Sequence, residues 1–134
     1  MTVSLEMALQ EALTAVLTPV LAALDPAVEL FDQAPQAQAY PFAEFARVTF
    51  RTDADLTPDQ QRATITFAVY DDSRGRRGVV APMSAMRGAL HNLRLPVTGG
   101  EAVNIMHEQS DAVVDSDGVT WVGTAIFTAW LAPD

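Results

Sequence analysis

The sequence predicts an α+β fold: a mainly antiparallel sheet of about four strands, with two helices packed on one face. Two stretches, Leu5–Leu17 and Val79–Leu90, repeat apolar residues at helical spacing. Most of the rest alternates apolar and polar residues, as half-buried strands do. A chain of 134 residues fits one domain, residues 1–134, and can bury a core without disulfide or metal support.

The first helix places Leu5, Leu9, Ala12, Leu13, Val16 and Leu17 on one face. Thr2 or Ser4 can cap it, and Glu6 sits where the helix dipole favours a carboxylate. Thr18-Pro19 reads as an N-cap followed by a first helical position, because an interior proline costs about 3 kcal/mol. A break near Thr18 and a short second helix to Leu24 are therefore expected. Val28–Phe31 is a short strand candidate, and 32–40 is an exposed loop rich in Ala, Gln and Pro.

The next strand runs from Phe42 to about Arg51, with Phe42, Glu44, Ala46, Val48 and Phe50 on one face. Residues 52–60 are polar and acidic and read as a long, mobile hairpin loop. A strand over 61–70 turns Ile65, Phe67 and Val69 to the core, and Thr64 and Thr66 away from it. Asp72 or Ser73 can cap a second helix, about Arg74 to Asn92, with the stripe Val79, Met83, Met86, Leu90. Pro82 lies inside that stripe, so the helix is expected to kink there. Residues 95–100 read as a loop. Two long strands follow, about 102–114 and 118–131, joined by a tight turn at 115–118. On the last strand Trp121, Ala125, Phe127 and Leu131 share one face. Val122, Ile126 and Trp130 share the other with threonines. That half-apolar second face suits a partner subunit or ordinary surface tolerance equally well.

Composition restricts the chemistry. The chain has no cysteine, which rules out disulfides and thiolate chemistry. The N-terminus lacks the pattern of a signal peptide, and no apolar run approaches the ~20 residues of a membrane helix, so no membrane partner is expected. The net charge is −9, and all eight basic residues are arginine. Gripping phosphates takes clustered Lys/Arg. An acidic surface instead suits solubility, or a surface that must let DNA pass without sticking.

No residue set points to catalysis, and no metal or cofactor is expected. His91 falls in the last turn of the second helix, where a cation complements the dipole. His107 and Glu108 are neighbours on a strand and point to opposite faces. The segment 115–118 resembles the start of a calcium loop but lacks the later ligands. The one basic cluster is Arg74, Arg76 and Arg77, at a helix N-terminus where cations are unfavourable. Either a carboxylate on a neighbouring subunit holds it there, or it is a solvated turn. The acidic loop contributes Asp53, Asp55 and Asp59 and is longer than a hairpin requires. The two segments are candidate subunit or partner contacts, with opposite charge setting register.

Several segments in order resemble the tail terminator (tail completion, head–tail joining) proteins of long-tailed phages and gene transfer agents. They are the strand at 28–31 leading into the loop to Gln36, Tyr40-Pro41-Phe42, the strand end Val69-Tyr70 and the turn Gly75-Arg76. The helix close 86–91 and the spacing Asp117-Gly118 to Gly123 complete the set. The resemblance implies a non-enzymatic structural protein. It would form a hexameric ring that caps the tail tube, stops polymerisation and meets the head connector, while DNA passes through. Its place would be the head-proximal end of the tail in a virion or phage-like particle assembled in the bacterial cytoplasm. A different class, a small α+β protein with an apolar pocket lined by Met83 and Met86, remains the alternative.

Overall fold

The computed structural model describes residues 4–52 and 60–134. In chain order the elements are α1 (Leu5–Ala22), β1 (Glu29–Phe31), β2 (Phe42–Arg51) and β3 (Gln61–Asp71), then α2 (Arg77–Leu90), β4 (Leu95–Val97), β5 (Gly100–Val114) and β6 (Trp121–Pro133). The strands form one six-stranded sheet in the order β1-β2-β3-β6-β5-β4. Among the described residues only β1 and β2 pair in parallel; the other pairs are antiparallel. The sheet is therefore mixed and two strands wider than the four expected. The extra width comes from two edge strands of three residues each: β1, which matches the short strand candidate at 28–31, and β4, which is too short to display a period of two. Residues 95–97 read as loop because of Pro96. On a strand at the sheet edge, a missing N–H costs no ladder bond.

α1 carries its stripe without interruption. Leu9, Leu13, Leu17 and Leu21 are all fully buried at four-residue intervals. Ser4 caps the helix, accepting a hydrogen bond from the Met7 N–H at 3.1 Å. The expected break at Thr18 does not occur, because Pro19 lies inside one continuous helix. Pro19 and Ala15 both face solvent, so water can reach the Ala15 carbonyl that loses its donor, while Leu17 and Leu21 hold the buried side. With 18 residues and a mean hydropathy of 1.3, α1 is long and apolar enough to cross a membrane by length and composition. Here its leucine stripe joins the core formed with Ala43, Ile65, Phe67, Phe127 and Leu131 from the sheet.

α2 packs on the same side of the sheet. Its buried residues include Val79, Met83, Met86 and Leu90, the predicted stripe. The helix begins at Arg77, three residues later than expected, and neither Asp72 nor Ser73 caps it. Gly123 on β6 allows the close approach: a Cβ there would lie 2.9 Å from the Val79 Cβ and from the Met83 Cε. Met83 and Met86 thus fill the helix–sheet interface, with 4% and 0% exposure.

The strand faces follow the alternation except where an extra residue intervenes. On β3 Ile65, Phe67 and Val69 are buried, and Thr64 and Thr66 lie on the opposite face. On β2 the register shifts between Phe45 and Arg47. Phe45 pairs with Phe67, and Val48 pairs with Ile65. Ala43, Phe45, Val48 and Phe50 therefore share the core side, which strict alternation had divided. β5 shifts twice, between Val103 and Met106 and between His107 and Gln109. Such bulges bend a strand and re-aim its side chains. The β5–β6 connection is not a two-residue turn. Asp117 Oδ1 accepts from the Val119 and Thr120 N–H groups, and Oδ2 accepts from the Thr120 hydroxyl at 2.6 Å. These bonds hold the Asp117 carboxyl below its ordinary range, the Thr120 hydroxyl contributing most.

Candidate functional site

The basic turn before α2 divides into two parts. Arg74 is committed within the subunit. Its Nε lies 3.2 Å from Asp71 Oδ2, and Asp71 is fully buried. The Ser73 hydroxyl also donates to Asp71, at 3.3 Å. Pro82 has no N–H for the carbonyl four residues earlier, that of Gly78, and the Arg74 guanidinium reaches this oxygen at 3.5 Å. Gly78 belongs to the same arrangement, since a Cβ there would overlap the Asp71 carboxylate and lie 2.9 Å from the Asp71 Cβ. One arginine thus neutralises a buried acid and serves a carbonyl that a helix proline leaves without a partner.

Arg76 and Arg77 are exposed. Arg76 lies over the Trp121 ring, 5.2 Å from its centroid. The acidic half of the predicted contact, Asp53, Asp55 and Asp59, lies outside the described residues.

Arg76 also begins a groove between α2 and β5 with a volume of about 330 Å³. Arg76 at the N-cap and Val80, Met83, Ser84 and Arg87 of α2 form one wall, and His107, Ser110, Asp111 and Ala112 of β5 form the other. The groove exists because α2 packs at Gly123 of β6 and leaves the far half of β5 uncovered. No sequence signal singled it out, because its walls come from elements some thirty positions apart.

The two histidines meet at the C-terminal end of α2. The His107 backbone N–H donates to His91 Nδ1 at 3.0 Å. His91 is thus an acceptor that closes the end of α2, where the sequence suggested a cation on the helix dipole. The His107 ring is 2.7 Å from the Ser110 hydroxyl and edge-on to Phe127. Partial burial lowers its pKa, and the nearby Arg87 and His91 lower it further. His107 and Glu108 do point apart: Glu108 accepts from the Thr128 hydroxyl on the helix-free face. Among the described residues no cluster of three His, Cys, Asp or Glu could hold a metal.

On the helix-free face, Phe42 stacks with Tyr40 at 5.6 Å and with Tyr70 at 4.9 Å. Glu44 accepts from the Tyr70 hydroxyl and from the Ala34 N–H, tying the 32–41 loop to the sheet. Partial burial and the Glu44 carboxylate raise the Tyr70 pKa. Further along, Arg62 lies over Trp130 and stands opposite Arg51 in the register. Arg47 is exposed on the same face. Sequence reading missed this second basic group, because its members are brought together only by the β2–β3 pairing.

The geometry thus offers open grooves and charged sheet surfaces. The chain belongs to the family described as Tail completion protein gp17, whose profile matches residues 7–132. It is a structural component of a phage-type tail. The fold is similar to that of a chain in the virion of a native gene transfer agent (GTA) particle, with a TM-score of 0.76 and 19% identity. That likeness covers 97% of this chain and 98% of the other. A second solved structure is similar with a TM-score of 0.58 and 17% identity, over 96% of this chain and 98% of that one. No curated protein matches the chain in sequence.

Proposed function

We propose that this protein is the ring subunit that completes a tail. Six copies cap the tail tube at its head-proximal end, stop tube polymerisation and meet the head connector, and DNA passes through the central channel without specific binding. Assembly takes place in the bacterial cytoplasm. The work is surface complementarity and ring closure, with no reaction on a substrate, metal or cofactor. The observation that carries this reading is the family match over residues 7–132. The likeness to a chain of a gene transfer agent particle over nearly the full length agrees with it. The net charge of −9 suits a subunit that lines a DNA path without holding it.

Arg76 and Arg77, exposed beside the groove, are proposed as contacts to a neighbouring carboxylate. The acidic segment with Asp53, Asp55 and Asp59 is the proposed complement. Arg74 contributes indirectly, by fixing the turn through Asp71.

Deletion of the gene, with complementation, tests the role. The reading predicts full heads unattached to tails, together with tails of uncontrolled length. Particles with joined tails of normal length in the deletion strain would overturn it.

A further inference from the structure

The sheet has two uncovered edges, at opposite corners. β1 covers β2 only at Phe42–Glu44, so no described strand pairs with the outer edge of β2 from Phe45 to Phe50. β4 covers β5 only at Gly100–Ala102. The connection after α2 then occupies the β5 edge at two points: the Asn92 N–H donates to the Ile105 carbonyl at 2.7 Å, and His91 accepts from the His107 N–H. From Glu108 to Val114 no described strand or loop pairs with the β5 edge. Uncovered edges invite pairing with another chain, and monomeric proteins blunt them. Here neither edge is blunted by a proline within its open stretch.

The two edges are opposite in charge. The open stretch of β5 carries Glu108 and Asp111 and no basic residue. The open stretch of β2 carries Arg47 and no acidic residue. Arg47, Glu108 and Asp111 all lie on the helix-free side: Arg47 pairs with Thr66, Asp111 pairs with Thr124, and Glu108 bonds to Thr128. The strand directions also fit. Counting across the antiparallel pairs from β2 through β3 and β6, β5 runs opposite to β2. A second copy in the same orientation, set beside the first, therefore brings its β2 antiparallel to β5.

We propose that the β5 edge of one copy pairs antiparallel with the β2 edge of the next, joining the sheets of neighbouring subunits. This rests on the ring reading above and names the contact that closes the ring. The contact is head-to-tail, using two different patches, as a closed ring of identical subunits requires. Backbone hydrogen bonds supply the adhesion. The Arg47 to Glu108/Asp111 complementarity sets direction, because like edges carry like charge and repel. The open corners are diagonal, so each copy is staggered along the strands relative to the last, as in a closed, tilted sheet. The incoming β2 lies beside the α2–β5 groove, where Val80 is 40% exposed.

The chain has no cysteine, which makes site-directed cross-linking clean. Particles are assembled with the Arg47→Cys/Asp111→Cys protein in place of the natural one and treated with a short bis-maleimide. The proposal predicts a covalent ladder rising beyond the dimer, whereas Asp111→Cys alone gives no dimer. Dimers from Asp111→Cys alone would show β5 pairing with β5 and overturn the proposal. A ring visible in the particles without any ladder would overturn it while leaving the ring reading intact. Absence of both ring and ladder would remove the ring reading itself. In a second arm, Arg47→Glu should lower the yield of joined particles at least tenfold. Adding Glu108→Arg and Asp111→Arg in the same chain should restore it. Failure of that exchange, with all variants folded by circular dichroism, counts against the charge pairing.

Discussion

Removing Arg74 should damage the subunit itself rather than its contacts. Arg74→Ala leaves the fully buried Asp71 carboxylate without its cation and the Gly78 carbonyl without a donor. Breaking a buried ion pair from one side costs about 3–5 kcal/mol. Three features reduce that figure here. The Arg74 side chain is 26% exposed, Ser73 still donates to Asp71, and the carboxylate lies against the first turn of α2, where the dipole favours it. About 2–3 kcal/mol remains, equivalent to a fall in Tm of roughly 8–12 °C for a domain of this size. Urea unfolding followed by Trp121 and Trp130 fluorescence reads it directly. Arg77→Ala, at an exposed position, should change stability by less than about 0.5 kcal/mol. Asp71→Asn added to Arg74→Ala should recover part of the loss, because a neutral amide needs no cation. If Arg74→Ala unfolds within about 0.5 kcal/mol of the parent, the buried-pair account is wrong.

Three further outcomes are expected. Gly123→Ala pushes a methyl into Val79 and Met83 and should cost about 1–3 kcal/mol by overpacking, measured by the same urea titration. Pro19→Ala gives back a donor for the Ala15 carbonyl on the exposed side of α1 and should stabilise by about 1–3 kcal/mol; a loss of stability would mean that α1 depends on the proline. Because the His107 pKa is lowered in the folded chain, the unfolded chain binds the extra proton first. Its contribution is full above the ordinary histidine value of about 6.5 and is lost as pH falls through that value towards the lowered one. An NMR titration should place His107 below the ordinary value and show an upward move in Arg87→Gln.

Legibility in the sequence followed the length of each repeat. The leucine stripe of α1, the Val79–Leu90 stripe of α2 and the alternation of β3 and β6 run long enough to reveal their period, and each forms as read. β4 has three residues and a proline, so no pattern could betray it. On β2 and β5 single extra residues reset the alternation, and a one-residue slip exchanges the faces. Pro19 misled because local propensity was outweighed by buried leucines on both sides of it. Arg74, Arg76 and Arg77 looked like one cluster, yet a buried acid three positions earlier takes the first and leaves two at the surface. The groove between α2 and β5, the His91–His107 bond and the Arg47–Arg51–Arg62 group all depend on pairings distant in the chain. No spacing announces those.

The central claim is the ring, and direct imaging tests it. Cryo-electron microscopy of assembled particles carrying a small tag on this protein should show one ring of six tagged subunits between the tail tube and the head connector. Tag density along the whole tube, at the distal tip, or absent from joined particles would contradict the account.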